Sequence, residues 1–358
     1  MKHLVLLLTM VAFLIPNPVP TECNCTHLEV LQTELRNAQR LRQAFSNKTP
    51  DLRAMSHEQS VMELQRFAKT DARRDMESLP NYKGAGEVDY DAQGSSLYDP
   101  THPKSTDTNE SLCKMTPSSQ AALQQAMQSA ACSGIGRALQ AHEDVHRNSC
   151  MTRGFVNFFG MNGADRAQEE VDAYGAQIKV LRAEIAQVLE RAQFTVISDV
   201  KTRSQFPKNP LYVAEIIDNH AEIQTNSASG SADKFRFEGQ GQQTTDVRIE
   251  GNCTVNGVPF SVPARVSVDT DGLTAEVSYE LTGTMPSIGM RCTLPQGSGY
   301  GMSMPVPMNS GKMPIAKLPL KDGAEFEFDM AQSEAARIMS RGGVTLTGKG
   351  TVRLVCHK

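Results

Sequence analysis

The chain contains 358 residues, and its 36 Lys and Arg against 40 Asp and Glu give a formal net charge of −4. This length suits about two domains with a sizeable hydrophobic core. The near balance of charge argues against a surface built to hold nucleic acid, so we expect no nucleic-acid partner.

Residues 1–21 have the pattern of a secretory signal peptide. Lys2 precedes an apolar run over residues 4–15, and prolines follow at positions 16, 18 and 20. Such a run is too short for a membrane span, which needs about 20 residues, but it suits the hydrophobic part of a signal peptide. The sequence therefore predicts a secreted or periplasmic protein with no membrane span after cleavage.

Eight cysteines follow the apolar run, at positions 23, 25, 113, 132, 150, 253, 292 and 356. An even number in an exported chain predicts disulfides. Five lie before residue 151 and three after residue 250, so pairing within each half leaves one cysteine over on each side. The sequence predicts either a bridge between the halves or a free thiol. Cys132 and Cys150 can pair with each other only if the helix between them breaks, and Cys113 is an alternative partner of either.

Residues 22–78 predict a helical hairpin or a short coiled coil. Leu28, Leu31 and Leu35 recur at spacings of three and four, which is the period of an amphipathic helix. Capping boxes are predicted at Thr26 with Glu29 and at Ser56 with Gln59, where a helix would begin. We expect this helical prefix to pack on the domain that follows, although partner binding is the functional alternative.

The rest of the chain predicts an α+β, multidomain fold. Residues 79–117 lose periodicity and predict a loop-rich strap. Residues 118–195 are helical again, and residues 196–234, which include Gly and Ser in a polar stretch, predict a linker. Residues 235–358 alternate with a period of two and predict an antiparallel β-sandwich domain.

Three turn signals predict hairpins within this β domain. Thr-Asp-Gly at 270–272, Asn-Gly at 256–257 and Lys-Gly at 349–350 each separate two short apolar runs. Gly in such a position permits the positive φ that tight hairpin turns require. We therefore expect the chain to reverse at all three places.

Residues 142–146 read His-Glu-Asp-Val-His, an H-E-x-x-H motif. Positions i and i+4 share one face of a helix, so His142 and His146 can both reach one metal ion. Ile135 and Leu139 continue this stripe toward the N-terminus, which predicts an inward-facing helix surface. Glu143 lies beside the first histidine, where it can take a proton from a water that the metal activates. The motif predicts a Zn²⁺ site with Glu143 as general base.

A third protein ligand is needed, because catalytic zinc takes three protein ligands and a water. Residues 161–163 can reverse the chain, and a second helix is predicted to begin near Asp165. Its first turns carry Glu169, Glu170 and Asp172. Its apolar stripe consists of Val171, Tyr174, Ile178, Leu181, Ile185 and Val188. Two antiparallel helices would bring one of these carboxylates to the histidines.

The motif and the E-V-D-A-Y segment that begins at Glu170 resemble the gluzincin type of zincin metallopeptidase, over about residues 130–190. In that group a Glu on the helix after the H-E-x-x-H helix is the third zinc ligand. The resemblance implies a zincin-like helical domain in which His142, His146 and Glu170 bind Zn²⁺. It also implies that Glu143 is the catalytic general base.

The sequence departs from this family pattern at one position. Tyr174 replaces the acidic residue that the family has one turn after its ligand, so the group that orients the ligand histidines is unassigned. Glu169 is the alternative third ligand. The sequence also leaves open whether residues 22–117 are a pro-region that blocks the site.

The resemblance implies a secreted zinc metallopeptidase that acts on a protein or peptide substrate. Its β domain would bind the substrate or an envelope or surface partner. A metallopeptidase toxin has the same chemistry and differs only in its target. The alternative is a non-catalytic exported protein for binding or envelope attachment, with structural zinc or none. A coordination position filled by water distinguishes catalytic from structural zinc.

Overall fold

A computed structural model describes a helical N-terminal part followed by an antiparallel β part, which confirms the predicted fold class. Its described residues are 21–68, 113, 117–209, 212–231, 234–256, 258–282, 288–293, 297, 299–304 and 316–357. The predicted signal peptide, except residue 21, and most of the predicted strap lie outside these ranges. Within them, no helix is both long enough and apolar enough to cross a membrane.

Six helices are described in the N-terminal part. They are α1 (Leu28–Arg53), α2 (His57–Phe67), α3 (Pro117–Ser129), α4 (Ser133–Arg153), α5 (Phe155–Phe159) and α6 (Gly163–Arg191). The capping box at the start of α2 is confirmed, because Ser56 Oγ accepts from the Gln59 backbone N–H. The box predicted at Thr26 is wrong. Asn24 caps a short 3₁₀ turn that precedes α1, and Thr26 lies inside this turn. Asn and Thr are both good capping residues, so the local sequence does not choose between such close starts.

The β part contains two described sheets. Its strands are β1 (Gln193–Gln205), β2 (Tyr212–Ser231), β3 (Lys234–Gly251), β4 (Cys253–Asn256), β5 (Phe260–Thr270), β6 (Thr274–Leu281), β7 (Ile288–Thr293), β8 (Gly299–Met304), β9 (Ala316–Pro319), β10 (Ala324–Asp329) and β11 (Thr345–His357). A helix, α7 (Glu334–Arg341), separates the last two strands. Eight strands form one antiparallel sheet in the order β10-β11-β1-β2-β3-β5-β6-β9, and β4, β7 and β8 form the other. The larger sheet nearly closes on itself, because its edge strands β9 and β10 approach one another.

The structure differs from the predicted linker at residues 196–234. These residues form most of β1 and β2, which are long neighbouring strands of the larger sheet. The period of two is weak here because several inward-facing residues are polar. Ser198 and Thr225 are buried in these strands although neither is apolar.

One of the three predicted hairpins forms. The turn at 270–272 joins β5 to β6, and Gly272 has a φ of +82°. The prediction at 256–257 is wrong, since β4 pairs with β7 while β5 pairs with β3. The prediction at 349–350 is also wrong, because β11 runs straight through these residues. Gly350 serves a different purpose there: the ring of Phe328 occupies the space that a side chain at 350 would need.

A single hydrophobic core joins the helices to the larger sheet. Leu31 and Phe45 of α1, Leu181 of α6, and Phe194 and Phe237 of the sheet all belong to it and are almost fully buried. The stripe predicted on α6 is buried along its whole length. The helical prefix therefore packs on the elements that follow, as expected. The buried amide of Gln32 strengthens this junction by donating to the Gly272 and Leu320 carbonyls, at 2.9 and 3.1 Å.

All eight cysteines form disulfides. The pairs are Cys23–Cys132, Cys25–Cys356, Cys113–Cys150 and Cys253–Cys292. Cys25–Cys356 is the predicted bridge between the two halves, and Cys113 pairs with Cys150 as one of its two expected alternatives. The disulfides thus join the helical part to itself, the β part to itself, and each to the other.

Candidate metal centre

Helices α4 and α6 run antiparallel and carry the candidate site between them. Near the start of α4, Arg137 forms a bidentate pair with Glu184 late in α6, with N–O distances of 2.9 and 2.7 Å. Further along α4, His146 lies beside Glu169 in an early turn of α6. The start of each helix therefore lies beside the end of the other, which confirms the predicted antiparallel arrangement.

Local sequence sets the reversal between these helices. Gly154 ends α4 with a φ of +78°, a conformation that L side chains rarely adopt. After α5, Asn162 Oδ1 accepts from the Asp165 backbone N–H at 2.9 Å and caps α6. Ser60 of α2 packs so closely on Gly163 that a side chain there would overlap the Ser60 backbone. These contacts hold the first turns of α6 against the histidine face of α4.

His142, His146 and Glu170 converge between the two helices. The Nε2 atoms of the two histidines lie 3.3 Å apart. The Glu170 carboxylate faces both, with Oε2 at 3.6 Å from His142 Nε2 and Oε1 at 3.6 Å from His146 Nε2. One donor atom from each residue lies within 4.8 Å of the other two, so the group is able to hold a metal ion.

Glu169 has a different position from Glu170, although the sequence could not separate the two. Its Oε1 lies 3.4 Å from Nδ1 of His146, on the opposite side of the ring from Nε2. A carboxylate there orients the imidazole and favours a proton on Nδ1, which leaves Nε2 free to bind a metal. In this geometry Glu170 approaches the metal-binding nitrogens and Glu169 positions His146.

The polar atoms of this cluster are buried but only partly satisfied. His142 is 3% exposed, and His146 and Glu169 are each 8% exposed. Among the described residues, His142 Nδ1 and Glu170 Oε2 have no hydrogen-bond partner, and Glu169 Oε1 has only its long 3.4 Å contact with His146 Nδ1. Each buried polar group left unpaired costs about 1–3 kcal/mol. A bound cation would offset this cost at the Glu170 carboxylate.

The nitrogen separation matches tetrahedral coordination. A metal at 2.0–2.1 Å from each imidazole nitrogen, with tetrahedral angles, places these nitrogens about 3.3–3.4 Å apart. The observed separation of His142 Nε2 and His146 Nε2 is 3.3 Å. The two histidine nitrogens therefore have the spacing that a small divalent ion requires, and the Glu170 carboxylate lies beside both of them.

The charged groups of the cluster shift one another's pKa values. Burial alone would lower the pKa of His146, but the carboxylates of Glu170, Glu169 and Glu143 raise it to about 9. Burial would raise the pKa of Glu170, but the two histidines and Arg166 lower it overall. The carboxylates therefore make the space between the helices a favourable place for positive charge.

Glu143 lies next to the cluster without joining it. Its side chain is half-buried, and burial raises its pKa while His142 and His146 act in the opposite direction. Glu143 is not among the three residues whose donor atoms converge. This position, close to the metal-binding group but outside it, is what a general base requires.

Two further residues complete the site. The Tyr174 ring packs edge-on against His142, with ring centroids 4.5 Å apart, and thus supports the first histidine.

Arg166 lies one helical turn before Glu170 and is a residue of the site that the sequence analysis does not predict. Its spacing of four from Glu170 and eight from Tyr174 was a signal available in the sequence, because it places all three on one face of α6.

Comparisons with protein-family models, with curated proteins and with solved structures find no match to this chain.

Proposed function

We propose that the protein is an exported zinc-dependent metallopeptidase. The observation that carries this proposal is the convergence of His142 Nε2, His146 Nε2 and the Glu170 carboxylate, with Glu143 alongside. Three protein donors leave a tetrahedral ion one position for water, which is the composition of a catalytic zinc site. Two imidazoles with one carboxylate suit Zn²⁺ among the common divalent ions.

Each residue of the site has a separate role in the proposed hydrolysis. Bound Zn²⁺ supplies Lewis-acid chemistry, polarising the scissile carbonyl and lowering the pKa of a water to about 7. Glu143 accepts the proton of the attacking water and passes it to the leaving amine. Glu169 holds the His146 ring through Nδ1, and Tyr174 supports the His142 ring. The C–N bond breaks as the amine departs as a neutral group, and the new carboxylic acid gives its remaining proton to solvent and leaves as a carboxylate.

The disulfides support the part of the proposal that concerns location. Four disulfides persist in an oxidising compartment such as the periplasm or the extracellular space.

The β part would then bind substrate or a surface partner. A depression of about 470 Å³ on the sheet, lined among others by Asp199, Lys201, His220 and Lys349, offers charged groups for such a contact.

The decisive variant is Glu143→Gln in the purified mature protein. It keeps the size of the side chain and all three metal donors, so zinc content should stay at about one per chain. Hydrolysis of a peptide substrate should fall about 10²–10⁴-fold, the usual contribution of a general base. Glu190→Gln, at an exposed position of α6, is the matched control and should change neither quantity. Full activity in Glu143→Gln would refute the mechanism.

A second candidate is a non-catalytic protein with a structural metal site. The low exposure of His142 and His146 is the observation that favours it, because a substrate must reach the ion. X-ray absorption of the zinc-loaded protein separates the two candidates. An oxygen ligand exchangeable with solvent supports the peptidase, and a fourth protein ligand supports the structural site.

A further inference from the structure

Arg166 is a half-buried cation beside the metal-binding group that the proposed reaction does not use. It lies in the first turn of α6, four residues before Glu170 and on the same face. Side chains at this spacing are about 5–6 Å apart at Cβ. The Arg166 side chain therefore starts one helical turn from the proposed carboxylate ligand, and its charge helps to lower the pKa of Glu170.

Aromatic residues of α5 fix the Arg166 side chain. Its guanidinium carbon lies 6.0 Å from the ring centroid of Phe158 and 5.8 Å from that of Phe159. Its Nη2 donates to the Phe159 carbonyl at 3.0 Å. A guanidinium has five N–H donors in a rigid fork, so most of them remain available after this single bond.

Arg166 has no anionic partner within contact distance in the described part of the chain. Glu169 and Glu170 act on it only at longer range, and burial lowers the pKa of Arg166 against their influence. Arg137, which bridges the same two helices, differs in this respect because it forms a bidentate pair with Glu184. A partly desolvated cation without a paired anion is costly, and an arriving carboxylate would remove that cost.

The distance limits where this carboxylate can lie in a bound peptide. An extended peptide advances about 3.3–3.6 Å per residue. The spacing of about 5–6 Å between the Cβ atoms of Arg166 and Glu170 corresponds to one or two residues of such a peptide. A free C-terminal carboxylate and an Asp or Glu side chain can both meet this requirement.

We infer that Arg166 determines specificity by binding a substrate carboxylate within two residues of the scissile bond. This inference rests on the proposed peptidase function and narrows its substrates to acidic peptides or to the C-terminal ends of chains. The fork geometry predicts a bidentate contact, which an ammonium group cannot reproduce.

The test measures binding without turnover. The zinc-loaded Glu143→Gln protein is titrated calorimetrically with three probes: acetyl-trialanine as the free acid, the same peptide as its amide, and the amide with Glu in place of the last Ala. We expect at least one carboxylate-bearing probe to bind about 10–100-fold more tightly than the neutral amide. The free acid and the Glu probe distinguish a C-terminal from a side-chain carboxylate.

Variants assign this preference to Arg166. Arg166→Gln in the same background should abolish it, Arg166→Lys should retain only part of it, and the exposed Arg182→Gln on the same helix should retain all of it. Circular dichroism checks that each variant is folded. Equal affinity for the three probes, or a preference that survives in Arg166→Gln, overturns the inference.

Parallel measurements distinguish failure of the Arg166 inference from failure of the proposed peptidase function. Zinc content and peptide hydrolysis of the protein with Glu143 intact test the peptidase directly. Active enzyme that treats acid and amide alike contradicts only the role of Arg166. Arg166-dependent binding of carboxylates by a protein that hydrolyses nothing supports the anion site and refutes the peptidase.

Discussion

The helical part and the β part each bury a cluster of polar side chains, but they satisfy these groups differently. In the β part, Gln243 donates to Asn219 at 3.0 Å, Thr245 donates to Asn219 at 2.8 Å, and the Tyr279 hydroxyl donates to Gln243 at 2.9 Å. Between α4 and α6, by contrast, the Glu170 carboxylate has a buried oxygen with no partner. The first cluster is a closed hydrogen-bond network, and the second is open.

The difference indicates what each cluster is for. A closed buried network stabilises one packing arrangement, since every member has its partner within the protein. An open cluster leaves a desolvation cost that a ligand can offset. Substitutions should therefore affect folding in the β cluster and metal binding in the α4–α6 cluster, and three experiments test this separation.

The largest effect is expected from His146→Ala. It removes one of three metal donors, so zinc affinity should fall by more than the roughly 10–100-fold that an orienting partner of a ligand contributes. Metal analysis of the purified protein should find about one zinc per chain before the change and almost none after it. His220→Ala, at an exposed histidine that contacts Asp199 on the sheet, is the control and should keep its zinc. Zinc retained in His146→Ala would show that the ion binds elsewhere.

Gln243→Ala should have the next largest effect, and on folding alone. The change leaves the Tyr279 hydroxyl and the Asn219 amide without a shared buried partner and creates a small cavity. We expect the free energy of unfolding to fall by about 3 kcal/mol, measured by urea denaturation. Zinc content should not change. A loss of zinc from the folded variant would contradict the separation of the two clusters.

Glu169→Gln should produce the smallest of the three effects. The substitution keeps the three metal donors but weakens the group that orients His146 through Nδ1. Zinc affinity should fall about 10–100-fold, measured by competition with a chelator of known affinity. Glu170→Gln removes a direct donor and should cost more. A larger loss of zinc affinity in Glu169→Gln than in Glu170→Gln would identify Glu169 as the third ligand.

Much of the site could be predicted because its residues follow one another at helical spacing. His142, His146 and Glu170 come from two strongly periodic helices, and periodicity is the most reliable signal that a sequence carries. The choice between Glu169 and Glu170 could not be made in this way. Adjacent residues differ by about 100° around a helix, and only the packing of α6 on α4 decides which one faces the Nε2 atoms.

The β part was predicted less accurately, for a reason that the closed network explains. The sequence predicts a linker where β1 and β2 lie, because Ser198, Asn219 and their neighbours turn polar side chains inward. Alternation of apolar and polar residues identifies a strand only where its inward face is apolar. The hairpin prediction at Lys349-Gly350 is wrong for a different reason. The Phe328 ring requires a glycine at position 350, and Phe328 belongs to another strand, whose position local sequence cannot predict.

The Cys25–Cys356 disulfide also decides how the molecule responds to mechanical force. A pull applied to the chain before residue 25 and after residue 356 is carried by this covalent bond and bypasses every helix and strand between them. The fold is therefore shielded from tension along the chain while the bond is intact. Reduction of all four disulfides would release a contour of 331 residues, about 1,100 Å when extended, and would expose the helices and the sheet to the load for the first time.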